Sequence, residues 1–194
     1  MNFVFDIGNV LIDFKPDIFL KKIFNEQSLS NKMLETIFNS PEWIKLDLGI
    51  INHLEACDIF YMREPSLKPE IKFTMERLTE MLTPISETIE LLPKIKRLDH
   101  KLYYLSNYHK ELSEYILVTY DFFNLFDGGV FSCDIRSNKP SPKIFRYFLE
   151  KYLIFPKDCL FFDDDEANIM AAKKEGINSI LFTGAECVKP YLYN

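Results

Sequence analysis

With 194 residues, 47% of them hydrophobic and 27% charged, the chain can bury one good core, with room for a small inserted subdomain. Its 23 basic and 29 acidic side chains leave a formal net charge of −6, which excludes the basic footprint of a nucleic-acid binder. Its 4 cysteines, Cys57, Cys133, Cys159 and Cys187, form no Cys-x-x-Cys pair, and no stretch reaches the roughly 18 apolar residues of a membrane span. Free buried thiols are expected instead of a zinc site or disulfide framework, and an N-terminus carrying Asp6 and Asp13 in place of a basic leader predicts a cytoplasmic protein.

Phe3-Val4-Phe5 is a short aromatic and β-branched run that stops at Asp6-Ile7-Gly8-Asn9, so it reads as a buried strand. After Asp13 the pattern turns helical across residues 14–83. Pro16 opens a run with Ile18, Phe19, Ile23 and Phe24 at helical spacing, and Asn31 to Phe38 carries Met33, Ile37 and Phe38. Pro41-Glu42-Trp43 starts a short turn; Ile50 to Tyr61 and Leu67 to Leu82 complete the helical block. From Thr83 helices and strands alternate. Pro84 to Leu98 is predicted as a helix kinked at Pro93, followed by a strand, Lys101 to Leu105. A helix from His109 to Tyr120 and a strand from Gly129 to Ser132 come next. Pro142 to Tyr152 (helix), Cys159 to Phe162 (strand), Glu166 to Glu175 (helix) and Ile180 to Phe182 (strand) close the chain. Such alternation predicts an α/β fold with a Rossmann-like parallel sheet, helices on both faces. Residues 1–13 and 84–194 would form that core, with 14–83 inserted after its first strand.

Chemistry gathers where the predicted strands end, which is where open α/β sheets bind ligands. Asp6 follows the first strand as a candidate nucleophile or metal ligand; the plainer reading is an Asp that opens a turn. Ser106 and Asn107 follow the second, a hydroxyl and an amide suited to an oxyanion. Leu160-Phe161-Phe162 runs into Asp163-Asp164-Asp165-Glu166, and four adjacent carboxylates at a buried strand end repel unless a cation sits among them. Hard oxygen ligands without His or Cys favour Mg²⁺. Asp165 and Glu166 fit a helix N-terminus equally well. Lys139 lies in a loop stiffened by Pro140 and Pro142, placing a fixed ammonium just before a helix.

Together these segments resemble the haloacid dehalogenase superfamily of Mg²⁺-dependent phosphohydrolases. Phe5-Asp6-Ile7-Gly8-Asn9-Val10-Leu11 is similar to that family's first motif, Leu105-Ser106-Asn107 to its second and Lys139-Pro140 to its third. Phe162-Asp163-Asp164-Asp165, with Asn168, Ala171, Ala172 and Gly176, is similar to its fourth. The resemblance implies a HAD-like core with a small helical cap of the first type, cap residues 14–83. It further implies that Asp6 attacks phosphorus and becomes an aspartyl-phosphate that water hydrolyses. Asp6, the Gly8 carbonyl and Asp164 would hold Mg²⁺, with Asp163 nearby in the first or second shell; Ser106, Lys139 and Asn107 would bind the phosphoryl oxygens. Asn9 can add a hydrogen bond to the substrate, and Trp43 is either a platform for a sugar or a core residue.

The pattern departs from the family at Gly8, where the family carries a second Asp that serves as general acid and base. Glycine keeps a carbonyl ligand but moves no proton, a loss worth roughly 10²–10⁴-fold. Asp13, Glu42 and Asp47 are candidate substitutes, and His109 lies close enough to the Ser106 motif to line the site, whereas His53 and His100 read as ordinary. The Asp-x-Gly-Asn-Val form resembles bacterial α-D-glucose-1-phosphate phosphatases, implying a small phosphorylated metabolite whose leaving group is good, such as a sugar 1-phosphate. A phosphotransferase, a metal-independent 2-haloacid dehalogenase and a non-catalytic regulatory or binding protein remain as alternatives, in a monomer or homodimer.

Overall fold

A computed structural model describes residues 1–192. The first strand, β1 (Asn2–Phe5), is buried on both faces, as an apolar run in the middle of a parallel sheet must be. The chain then turns tightly: the Ile7 carbonyl accepts from the amides of Val10, Leu11 and Ile12. Asn9 takes a left-handed conformation (φ 53°) that asparagine tolerates better than most residues. A two-residue strand, β2 (Ile12–Asp13), leads into the helical insert.

The insert contains α1 (Pro16–Ile23), α2 (Gln27–Met33), α3 (Pro41–Asp47), α4 (His53–Arg63) and α5 (Lys68–Met75). α2 runs on into a wide-turned π segment, Leu34–Phe38. Start signals are local: Ser40 accepts from the Trp43 amide with Pro41 at the first turn of α3, and Asn52 with Glu55 forms a capping box on α4. The insert returns through β3 (Thr83–Pro84), which pairs antiparallel with β2 through Ile12–Pro84 and Asp13–Thr83. This ribbon ties the two ends of the insert together. Apolar residues of the insert, among them Phe19, Met33, Phe38 and Trp43, join Phe3, Phe5 and Phe162 in one buried cluster.

Beyond β3 lie α6 (Ser86–Ile89), α7 (Leu92–Arg97), β4 (Lys101–Ser106), α8 (Lys110–Thr119), β5 (Gly128–Phe131) and α9 (Ser132–Ile135). They are followed by α10 (Pro142–Tyr152), β6 (Cys159–Asp163), α11 (Glu166–Lys174) and β7 (Asn178–Leu181). The five-stranded sheet has the order β5-β4-β1-β6-β7, every pair parallel. From β1 the chain builds outward through β4 and β5, then returns to place β6 on the other side. The crevice between the ends of β1 and β6 is therefore the topological switch point. Val4, Tyr103, Leu105 and Phe161 face the second layer, packed on Ile144, Phe145 and Phe148 of α10 and Ile169 of α11.

Several local expectations change. Pro84 to Leu98 is not one kinked helix: Pro84 belongs to β3, and Pro93 sits in the first turn of α7, where its missing amide leaves no bond unmade. The strand read as Gly129 to Ser132 ends one residue earlier because Ser132 starts α9, and the last strand begins at Asn178. All 4 cysteines are free. No helix among the described residues is long and apolar enough to cross a membrane.

One ion cluster anchors the edge of the sheet. Asp127 accepts from Lys96 Nζ at 2.7 Å, Lys101 Nζ at 3.0 Å and the Leu102 amide at 2.9 Å. Burial alone would raise its carboxyl, but these three donors outweigh it and bring the pKa down from 3.8 to about 2. A depressed carboxyl contributes stability above its unfolded pKa and loses it as pH falls through the folded one. Asp127→Asn should therefore cost about 1–2 kcal/mol at pH 7 in denaturant titrations, discounted for the exposed lysines. That deficit should fade between about pH 4 and pH 2; an equal deficit at both ends would mean the charge is irrelevant.

Candidate active site

Asp6 stands one residue beyond β1, and its amide still donates to the Phe162 carbonyl at 2.8 Å, extending the ladder to β6. Its Oδ1 accepts from the Ile7 amide at 2.7 Å and lies 2.8 Å from Lys139 Nζ. Burial pushes this carboxyl up to about 6; Lys139 and the Ser106 hydroxyl pull against that, and Asp163 adds to it. A buried carboxylate held by a single ammonium is poised, solvated by little else.

Lys139 is 4% exposed, and its ammonium bridges Asp6 and Asp163, the latter at 2.6 Å. Burial works against the charged form, yet the two carboxylates raise its pKa overall. The loop that carries it is clamped from β4. Asn107 Oδ1 accepts from the Lys139 amide at 2.8 Å, and Asn107 Nδ2 donates to the Lys139 carbonyl at 2.9 Å. The Asn107 side chain is thus spent on holding the loop, leaving its backbone amide for any ligand.

The acidic run divides between tasks. Asp163 is fully buried at the end of β6, and its oxygens accept from Lys139, from Asn168 Nδ2 at 3.0 and 3.1 Å, and from the Asp165 amide at 2.9 Å. Asp164 accepts from Asn9 Nδ2 at 3.1 Å; burial raises its carboxyl and Asn9 opposes that. Asp165 caps α11 through the Ala167 amide at 2.7 Å. One carboxylate oxygen from each of Asp6, Asp163 and Asp164 falls within 4.8 Å of the others. An all-carboxylate set of this kind fits a hard divalent cation. Gly8 and Asn9 border the same space.

A cavity of about 370 Å³ opens above these groups, floored by Asp6, Ser106, Lys139 and Asp164. The insert supplies its opposite wall through Phe14, Trp43 and Asp47. Trp43 is a core residue, 7% exposed with its ring tilted against Phe38 at 4.7 Å, and it also borders the cavity. Its ring lies perpendicular to that of His109, the centroids 5.1 Å apart. His109 Nδ1 lies 3.6 Å from Asp47 Oδ1. Burial raises the Asp47 carboxyl, with His109 partly offsetting that. Tyr108 and the pairing of Asp47 with His109 escape a reading of the sequence. The one signal for Asp47 is its place four residues after Trp43, on the same face of α3.

Comparison with known proteins bears on this arrangement. Residues 1–176 match the sequence profile of the haloacid dehalogenase-like hydrolases. Among curated proteins, the sesquiterpene phosphatase astK of Aspergillus oryzae is 25% identical over 183 residues, covering 93% of this chain and 88% of that protein. The phosphorylated carbohydrates phosphatase of Thermotoga maritima is 26% identical over 181 residues, covering 91% and 82%. Drimenol cyclase drtB of Aspergillus calidoustus is 25% identical over 194 residues, but this chain spans 35% of its length. The fold recurs in a HAD family enzyme of Bacteroides thetaiotaomicron, solved with magnesium and inorganic phosphate. The two share 24% identity over 94% of each chain, with a TM-score of 0.71. A profile match running through β1, β4 and β6 and every residue gathered at their ends shows that this chain belongs to the haloacid dehalogenase-like hydrolase family.

Proposed function

We propose that the protein is a Mg²⁺-dependent phosphatase of small phosphorylated metabolites, acting through an aspartyl-phosphate on Asp6. The observation that carries this reading is the Lys139 ammonium held between Asp6 and Asp163 at 2.8 and 2.6 Å. It neutralises a buried nucleophile and faces the space that a phosphoryl group would fill. The two phosphatase-named relatives and the magnesium and phosphate bound by the Bacteroides neighbour support it.

In this reading Asp6 attacks phosphorus in line, and the bond to the leaving oxygen breaks. Water then attacks the same phosphorus, releasing phosphate and restoring the carboxylate. Lys139, the Ser106 hydroxyl and the Asn107 amide neutralise the phosphoryl oxygens as charge builds. Asp6, the Gly8 carbonyl and Asp164 would hold Mg²⁺, which supplies further charge neutralisation when bound. Asp163 stands beside them with its oxygens already engaged, so its main service is to fix Lys139. Asn9 orients Asp164, and Trp43 with Phe14 offers an apolar wall to the body of a substrate such as a sugar phosphate.

The test is phosphate release across a panel of sugar, alkyl and aryl phosphates, with Mg²⁺ and with EDTA. Turnover of sugar phosphates that EDTA abolishes and added Mg²⁺ restores is expected. Halide release from 2-haloacids that persists in EDTA, with no phosphate released, would replace this reading by dehalogenation on carbon.

A further inference from the structure

Gly8 has no side chain to protonate a leaving oxygen or to deprotonate the attacking water, and three carboxylates were candidates to replace it. The fold separates them. Asp13 pairs with Lys15 and does not border the cavity over Asp6. Glu42 is buried beside Arg63 at 2.5 Å and Lys45 at 3.5 Å; burial works to raise its carboxyl, but Arg63 leads the interactions that hold it down. Neither offers a proton to the site. Asp47 borders the cavity.

The other titratable groups lining that cavity are committed. Asp6, Lys139 and Asp164 hold the phosphoryl and metal positions, and Asp165 caps α11. The Tyr108 hydroxyl is buried without a hydrogen-bond partner among the described residues, and burial pushes it far above the usual phenol range, too high to exchange a proton near neutrality. Asp47 remains, backed by His109.

That pair is built in, not incidental. His109 is 1% exposed; its Nδ1 faces Asp47 Oδ1 at 3.6 Å, whereas Nε2 has no partner among the described residues. The backbone beneath Asp47 is pinned to the core: the Ser132 hydroxyl donates to the Asp47 carbonyl at 2.5 Å and accepts from the Tyr108 amide at 3.0 Å. Two residues on, Gly49 adopts φ 61°, and a Cβ there would lie 2.7 Å from the Cys133 carbonyl oxygen. Only glycine allows so close an approach. On the far side the His53 amide donates to Glu111 Oε1 in the first turn of α8. Asp47 is thereby fixed in the lining of the cavity that Asp6 also borders, with its side chain 16% exposed.

We propose that Asp47 performs the proton transfers that position 8 cannot, with His109 as the positioning residue that holds its carboxyl group. The inference rests on the phosphatase reading above. As the phosphorus–oxygen bond breaks, its electron pair goes to the leaving oxygen, which takes the proton from the Asp47 carboxyl. In the second step the attacking water gives its proton to the Asp47 carboxylate, while the phosphorus–Asp6 bond breaks and returns its electron pair to Asp6. Phosphate ester and water become alcohol and phosphate, and both aspartates are restored. A glycine after the nucleophile is then compatible with poor leaving groups.

The experiment compares Asp47→Asn and His109→Leu with the parent on an alkyl phosphate and on p-nitrophenyl phosphate, whose leaving group needs no acid. For Asp47→Asn, kcat/KM should fall by roughly 10²–10⁴-fold with the alkyl ester and by less than about 10-fold with the aryl ester. With the aryl ester a burst of one equivalent of nitrophenol should precede slow turnover, and acid-quenched mass spectra should show phosphorylated enzyme. The parent's alkyl kcat/KM should decline on the alkaline side as the acid ionises. The groups facing Asp47 are His109 and Tyr108 at the start of α8 and Cys133 of α9. His109, 3.6 Å from the carboxylate, pulls its pKa down against burial, so His109→Leu should move that decline to higher pH, and His109→Asn, which restores a donor, should move it back. Equal losses on both esters, or no loss, would overturn the proposal while Asp6→Asn remains inactive. Phosphate release by Asp6→Asn would instead overturn the phosphatase reading itself.

Discussion

Asp6→Asn should lower phosphate release by at least about 10⁴-fold while melting no lower than the parent protein. The amide has the shape of the carboxylate and can still accept from Ile7 at its oxygen, but it cannot open an acyl-phosphate path. Stability moves the other way. Burial raises the Asp6 carboxyl from 3.8 to about 6, so between those values the folded state binds more protons than the unfolded chain. Stability accordingly falls as pH rises through that window, and above about pH 6 the ionised group carries its full cost. The asparagine removes this cost, and Lys139 keeps Asp163 as a partner at 2.6 Å. In metal-free buffer the substituted protein should match or exceed the parent's Tm at pH 7.5, with a flatter profile from pH 4 to 6. Residual turnover above about 1% would mean that Asp6 is not the nucleophile.

Lys139→Met carries the second large effect, on both fold and rate. The thioether keeps the stem but strips the ammonium from between Asp6 and Asp163, leaving two buried carboxylates facing each other. Breaking a buried pair in this way typically costs about 3–5 kcal/mol. For a chain of 194 residues that corresponds to a Tm lower by about 6–20 °C. The deficit should be largest above pH 7 and shrink toward pH 5 as Asp6 takes a proton. Combining Lys139→Met with Asp6→Asn should recover part of the stability, because one of the stranded charges is gone. Activity should drop by about 10³–10⁵-fold, the usual worth of a cation on a transferring phosphoryl group. A Tm unchanged from the parent would show that the ammonium is not what lets those carboxylates stay buried.

How legible the site is in the sequence depends on how local its signals are. Asp6, Ser106 and Asp163 each end an apolar run, and a strand end is visible from a few neighbouring residues. Lys139 is marked by the prolines around it. The clamp that Asn107 places on the Lys139 backbone joins residues separated by all of α8, β5 and α9, and no periodicity marks it. The meeting of Asp47 with His109 likewise depends on how α3 docks against α8 and α9, a matter of tertiary packing. The ribbon of β2 and β3 is too short, at two residues a strand, to leave an alternating pattern. The division at Pro93 reads as a kink in the sequence because a proline inside a helix and one at a helix start leave the same local trace, and only the turn at Glu90 and Leu91 tells them apart.

The reciprocal bonds between Asn107 and Lys139 have a consequence for anyone exchanging parts among relatives of this protein. An amide side chain that both receives and gives a backbone bond acts as a one-residue strand partner, so the end of β4 and the lysine loop are mechanically one piece. A lysine loop transplanted without its matching asparagine would arrive with its ammonium in the right order of sequence but without the fixed backbone that aims it. The smallest graft that preserves the aim is therefore discontinuous: two segments, far apart in the chain, carried across together.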